Sequence, residues 1–147
     1  MDIVIRAISV MAATCYFGLL LHQPKSTLVF TALIGWLGYE IYLLAGSGLL
    51  AFFVSGLFVG LLCEIVARKV RRTTTLFLIS SIIPTVPGLG LYRTMMAISE
   101  NKLDMALKIG LDTIGGIGAL ALALTLTTLV FSIIRPLKRT SNHKETK

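Results

Sequence analysis

The sequence predicts an all-α integral membrane protein, a helical bundle with about five transmembrane helices. Its hydrophobic fraction is 55% and only 14% of its residues are charged, a composition outside the usual range of a soluble domain. Apolar runs of about 20 residues, the length that a helix needs to cross the bilayer core, recur between short polar or basic segments. The fourth run is interrupted by a Pro-x-x-Pro-Gly motif, which predicts a broken helix.

Five spans follow one another along the chain, at about 3–21, 27–45, 48–67, 74–92 and 105–134. The first contains one basic residue, Arg6, and no A-x-A-like cleavage site follows it, so we expect it to be retained rather than removed as a signal peptide. The short linkers predict an antiparallel bundle of neighbouring helices. The transmembrane domain is expected over 1–135, followed by a basic polar tail over 136–147.

Basic residues concentrate in two segments, 68–72 and 135–147, each of which follows an apolar span. Since basic loops stay in the cytoplasm, both segments are expected there, which places the amino terminus outside and the carboxyl terminus inside. The segment 93–104, whose charges cancel, is then an outer loop. The net charge of +7 is interpreted as a topology signal, and no nucleic-acid partner is expected.

The prolines and glycines of the fourth span explain why its helix should break. Pro84 and Pro87 lack a backbone donor and clash with the preceding turn, while Gly88 and Gly90 tolerate dihedrals that other residues avoid. A break in a membrane helix is tolerated only where it packs against protein or lines a wet cavity. The break is therefore a candidate site.

A half-helix that begins near Leu89 would point free N–H groups at a bound carboxylate. Tyr92 and Arg93 lie on or just after its first turn, and Arg93 adds a charge for the same ligand. Ser80 and Ser81 supply hydroxyl groups before the break, and Thr85 supplies one within it. The alternative, which the residues leave open, is a proline kink that only shapes packing while Arg93 reaches the interface.

Three acidic residues lie in or near the apolar spans. Asp112 follows Lys108 by one helical turn, so it forms either a surface pair with that lysine or a cavity carboxylate that binds a proton or an ammonium group. Glu40 lies deep enough in the second span to need a partner. The residues leave open whether its side chain faces a cavity or the membrane interface. Glu64 is expected to pair with Arg68.

The aromatic and sulfur side chains suggest packing roles. Trp36, Tyr39 and Tyr42 recur at intervals of three on one helix face, as in helix packing or an interfacial belt. Cys15 and Cys63 lie in apolar runs without metal-site spacing, so we assign them no role.

Nothing in the sequence indicates catalysis. The two histidines, His22 and His143, lie in a loop and in the tail, and no catalytic His-plus-acid pair, nucleophile elbow or phosphate-binding loop accompanies them. We therefore expect the protein not to be an enzyme and to need no metal or cofactor.

The motif IIPTVPGLGLYRTM, residues 82–95, resembles the I-P-x-x-P-G-x-x-x-Y segment of the threonine/serine exporter family, in its small-subunit branch. Segment 21–42 is similar to the family's proline-containing first loop and second helix. Segment 58–84 is similar to the family's segment that leads into the motif. The resemblance implies a secondary exporter of small hydrophilic metabolites, with threonine and serine as substrates of some members and dicarboxylates such as succinate suggested for split members. It also implies a larger partner subunit.

Of the family's motif residues, this sequence has Pro84, Pro87, Gly88 and Tyr92. The resulting hypothesis is a subunit of a bacterial inner-membrane exporter driven by the proton gradient, in which the half-helix after Pro87 binds a carboxylate. Asp112 or Glu40 would take the substrate ammonium or the coupling proton. The alternatives are a structural or regulatory subunit that never touches substrate, and a self-sufficient homo-oligomeric channel.

Overall fold

The computed structural model describes residues 2–46 and 48–134, and all regular structure in that part of the chain is helical. The helices are α1 (Asp2–Leu20), α2 (Lys25–Leu44), α3 (Leu49–Val70), α4 (Thr74–Ile82), α5 (Gly88–Ser99) and α6 (Leu103–Ile134), with a 3₁₀ turn, Ile83–Thr85, between α4 and α5. The predicted all-α class is confirmed. The predicted tail, 136–147, lies outside the described residues.

The membrane spans come from four long helices and one broken one. Helices α1, α2, α3 and α6 are each long and apolar enough to cross a bilayer, and α4 with the 3₁₀ turn joins α5 at a bend of 49°. A re-entrant loop would have to reverse the chain direction, whereas a bend of 49° lets the chain continue onward. The prediction of a bundle whose fourth span is broken at the Pro-x-x-Pro-Gly motif is therefore confirmed.

The two prolines produce the break without help from the glycines. Pro84 lies in the 3₁₀ turn and cannot donate to the carbonyl one turn earlier, and Pro87 restricts Val86 to an extended conformation (ψ 129°). Gly88 and Gly90 could tolerate unusual dihedrals but do not use that freedom, since neither has a positive φ. Both glycines are ordinary helical residues of α5.

Helix α2 packs against α1, α3 and α4 and so forms the centre of the bundle. Small residues permit the close approach: a Cβ added at Gly38 would overlap Val59 of α3. The buried apolar core lies at the junction of α2, α3 and α4 and consists of Ile34, Val59, Cys63, Ala67 and Phe77. Close helix packing of this kind holds the break in a fixed position beside α2.

Helix α6 packs parallel to α3 along only part of its length. The contacts run from Leu49 of α3 beside Gly115 of α6 to Gly60 of α3 beside Thr127 of α6. With 32 residues, α6 is about 48 Å long at 1.5 Å per residue. The part of α6 before Gly115 therefore extends beyond the start of α3.

Helix α5 packs antiparallel on this extension of α6, with Thr94 beside Gly110. It makes no comparable packing with any other helix of the described chain. We expected 93–104 to be a loop, but the helix continues to Ser99 because no helix breaker occurs before Asn101, which has a φ of 56°. We call α5 and the part of α6 before Gly115 the outer hairpin.

The opposite end of α6 is held to α3 by Arg68. Its guanidinium donates a hydrogen bond of 2.9 Å to the carbonyl of Phe131 and lies 4.9 Å from the centre of that ring. The predicted pair with Glu64 is confirmed, at 3.4 Å. The basic end of α3 and the last turn of α6 therefore share one end of the bundle, where α2 also begins at Lys25.

Candidate functional site

A cleft of about 850 Å³ opens beside the helix break, between α2, the start of α3 and the outer hairpin. This volume falls in the range of small-molecule sites, about 300–1,000 Å³. The residues that line the cleft include Tyr39, Tyr42, Leu49, Phe52, Pro84, Thr85, Pro87, Leu89, Gly90, Arg93, Ile109, Asp112 and Thr113.

The cleft brings together most of the predicted site residues. Five of them come from the broken helix, namely Pro84, Thr85, Pro87, Gly90 and Arg93, and Asp112 comes from α6. Gly88, Tyr92 and Glu40 do not line it, and Tyr92 instead exposes 61% of its surface outside the cleft. The arrangement follows from the pairing of α5 with α6, which sets Asp112 opposite the first turns of α5.

The broken backbone leaves hydrogen-bonding groups without partners at the cleft. Thr85 is only 3% exposed, and its hydroxyl is buried with no hydrogen-bond partner in the described structure. The N–H groups of Leu89 and Gly90, in the first turn of α5, make no backbone hydrogen bond in this part of the chain. These groups and the positive end of the helix dipole would suit a carboxylate ligand.

Two opposite charges border the same cleft, Arg93 on α5 and Asp112 on α6. Both side chains are exposed and neither forms an ion pair within the described residues. Of the two alternatives for Asp112, the surface pair with Lys108 does not form among the described residues. A lysine that precedes its acidic partner by four residues is the weaker orientation on a helix, so this pair has little to hold it together.

The turn between α5 and α6 contains an ion pair. Lys102 Nζ donates a hydrogen bond of 2.8 Å to Glu100, and this contact raises the pKa of Lys102. The pair lies away from the cleft, so its charges satisfy each other rather than Arg93 or Asp112.

Aromatic rings form the wall of the cleft opposite the hairpin. The ring centres of Tyr42 and Phe52 lie 4.6 Å apart, and those of Tyr39 and Tyr42 lie 6.4 Å apart. The predicted aromatic face thus packs helices and also lines the cleft. The spacing of three residues identified the face, but only the pairing of α2 with α3 reveals that Phe52 joins it.

Glu40 lies on α2 beside the cleft rather than in it. One carboxylate oxygen is buried with no hydrogen-bond partner in the described part of the chain, as is the indole N–H of Trp36 one turn earlier.

Comparison with known families gives one match over most of the chain. A family model described as "Threonine/Serine exporter, ThrE" matches residues 6–130, a range that includes every residue that lines the cleft. No curated protein and no solved structure matches the chain.

Proposed function

We infer, since the chain belongs to the threonine/serine exporter family, that it is a subunit of a secondary exporter whose substrate binds in the cleft at the helix break. The family is one of transporters, and the apolar helices make this chain a membrane protein. The observation that carries the proposal is the placement of Arg93, Asp112 and the first turn of α5 around one cleft.

An α-amino acid fits these groups by its charges. Its carboxylate would accept hydrogen bonds from the N–H groups of Leu89 and Gly90 and pair with Arg93, while its ammonium group would pair with Asp112. The hydroxyl of Thr85, which has no hydrogen-bond partner within the described residues, would form a hydrogen bond with the hydroxyl of a serine or threonine substrate. These partners would replace the water that the solute loses on entering the cleft.

A dicarboxylate such as succinate is the second candidate. Arg93 and the first turn of α5 would favour it, but an ionised Asp112 on the same cleft would repel its second carboxylate. Serine or threonine is therefore the preferred substrate.

Proton coupling is proposed for Asp112 and Glu40, neither of which forms an ion pair within the described residues. Asp112 faces the cleft, whereas one oxygen of Glu40 is buried beside it without a hydrogen bond. A carboxylate that binds a proton in one state and releases it in the other would link the proton gradient to solute movement.

A larger subunit of the same family is proposed to close the open side of the cleft. The outer hairpin exposes large apolar side chains, including Leu89, Met95 and Leu111, beyond the start of α3. Its charged residues alternate in sign and include Glu100, Lys102 and Asp104. Such a surface suits a protein partner rather than bulk water. A homo-oligomer is the alternative occupant.

The proposed location is a bacterial inner membrane, with the amino terminus outside and the carboxyl terminus in the cytoplasm. The contact between Arg68 and Phe131 supports this orientation because it joins the basic end of α3 to the last turn of α6.

Efflux of labelled threonine, serine and succinate tests the proposal, measured in cells that lack their own exporters and express this chain alone or with the larger subunit. Amino-acid efflux that requires both chains and a proton gradient supports it. Flux without a gradient would indicate a channel, and efflux that survives combined loss of Arg93 and Asp112 would indicate a purely structural subunit.

A further inference from the structure

Buried polar side chains continue from the cleft towards the basic end of the bundle. They lie where α1, α2 and α4 meet, and each is no more than 4% exposed: Thr14, Gln23, Thr31, Ser80, Ser81 and Thr85. We call this set the polar seam. Polar residues inside a membrane bundle either hydrogen-bond helices to one another or mark the path of a solute.

The polar seam is closed in this structure. Ser81 donates a hydrogen bond of 3.2 Å to the carbonyl of Thr31, and the Gln23 amide donates to the Thr31 hydroxyl. A Cβ added at Gly35 would lie 2.8 Å from the Thr14 hydroxyl and 3.2 Å from the Ser81 carbonyl. No solute passes between α2 and α4 while these contacts persist.

Packing alone explains only part of the polar seam. The hydroxyls of Thr14 and Thr31 bond to carbonyls of their own helices, as threonines commonly do in membrane helices. Among the described residues, the hydroxyls of Ser80 and Thr85 and the carbonyl oxygen of Gln23 are buried without a hydrogen-bond partner. Leaving a buried polar group unpaired is unfavourable, so three such atoms in one seam point to a partner that is bound in another state.

We propose that the polar seam is the closed half of the transport pathway, and that it opens when α4 separates from α2 at the contact between Thr31 and Ser81. The inference rests on the proposed function. Helix α4 has only nine residues and ends at the break, so it can tilt without carrying α5 with it. The six side chains that define the seam are all uncharged, so the pathway suits a small polar solute of zero net charge.

Cysteine labelling tests the proposal in inverted membrane vesicles that contain the full chain, with or without the larger subunit. Ser81→Cys is compared with Ser55→Cys in a chain whose own cysteines are replaced by Cys15→Ser and Cys63→Ala. Ser55 is the matched control because it is equally buried and donates a hydrogen bond of 2.7 Å to the carbonyl of Gly38 on α2, but it lies between α2 and α3.

The uncharged reagent hydroxyethyl methanethiosulfonate should modify Ser81→Cys many times faster than Ser55→Cys, and the trimethylammonium reagent of the same series should modify neither. The proposal would be overturned if the uncharged reagent modified neither cysteine, with or without the larger subunit. It would also be overturned if the reagent modified both cysteines at the same rate. Amounts of each variant in the membrane show that both fold. The assay needs no substrate: reactive Ser81→Cys without amino-acid efflux would overturn the proposed substrate and leave the pathway standing.

Discussion

Gly90 of α5 lies directly against Thr113 of α6, so closely that a Cβ on Gly90 would overlap the threonine hydroxyl. Both residues line the cleft. The contact therefore fixes the distance between the first turn of α5, with its free N–H groups, and the helix that carries Asp112.

Gly90→Ala should destabilise the protein by forcing α5 away from α6, with a loss of about 1–3 kcal/mol, as for other overpacked positions. The control is Gly118→Ala, since Gly118 lies within α6 with open space around it. Alanine there should be neutral or stabilising, by up to about 1 kcal/mol. Thermal unfolding of both purified variants in detergent checks the prediction, and an equal change in Tm would count against the proposed fit.

Arg68→Lys should loosen the basic end of the bundle. Lysine lacks the planar fork that reaches both Glu64 and the Phe131 carbonyl, and it stacks less well on the ring. We expect a loss of about 1.5–3 kcal/mol, the net contribution of a hydrogen bond to a charged group. Arg71→Lys, at an exposed position, should leave Tm unchanged; similar Tm values for the two variants would refute the role of Arg68.

Thr85→Val should stabilise the protein and impair transport. Valine keeps the shape of threonine but removes a buried hydroxyl that has no partner, a gain of about 1 kcal/mol. Thr125→Val is the control because Thr125 is exposed and bonds only to the Ala121 carbonyl. Tm and efflux are measured on the same preparations. A Thr85→Val protein that is more stable and fully active would remove Thr85 from the site.

Asp112→Asn should lower amino-acid efflux and alter its dependence on pH, because the cleft loses its carboxylate. Asp104→Asn removes the same charge from the first turn of α6, outside the cleft, and should have no effect. Initial rates over a range of substrate concentrations and pH separate weaker binding from lost coupling. Equal rates in the two variants at every pH would show that Asp112 takes no part.

The spans and the break were predictable because hydropathy and proline act locally. The continuation of α5 to Ser99 was harder to predict, because a charged and only moderately apolar segment after a break is equally typical of a loop. The glycines illustrate a second limit. Gly88 and Gly90 look alike in sequence, but only Gly90 has a neighbour that excludes a side chain, and that neighbour is supplied by α6.

Which residues line the cleft depends on how each helix is rotated about its own axis. Glu40 follows Tyr39 directly, but one residue turns a helix by about 100°, so that Tyr39 lines the cleft and Glu40 does not. The contact between Gly38 and Val59 sets that rotation, and such a contact between two helices is not visible in either segment alone.

Substrate protection of a cysteine in the cleft tests the central claim most directly. Leu89 and Leu91 are both exposed on α5, but only Leu89 lines the cleft. In the chain without its own cysteines, saturating threonine or serine should slow modification of Leu89→Cys by a maleimide and leave Leu91→Cys unaffected. Unchanged rates at both positions, in vesicles shown to transport the amino acid, would contradict a substrate site in this cleft.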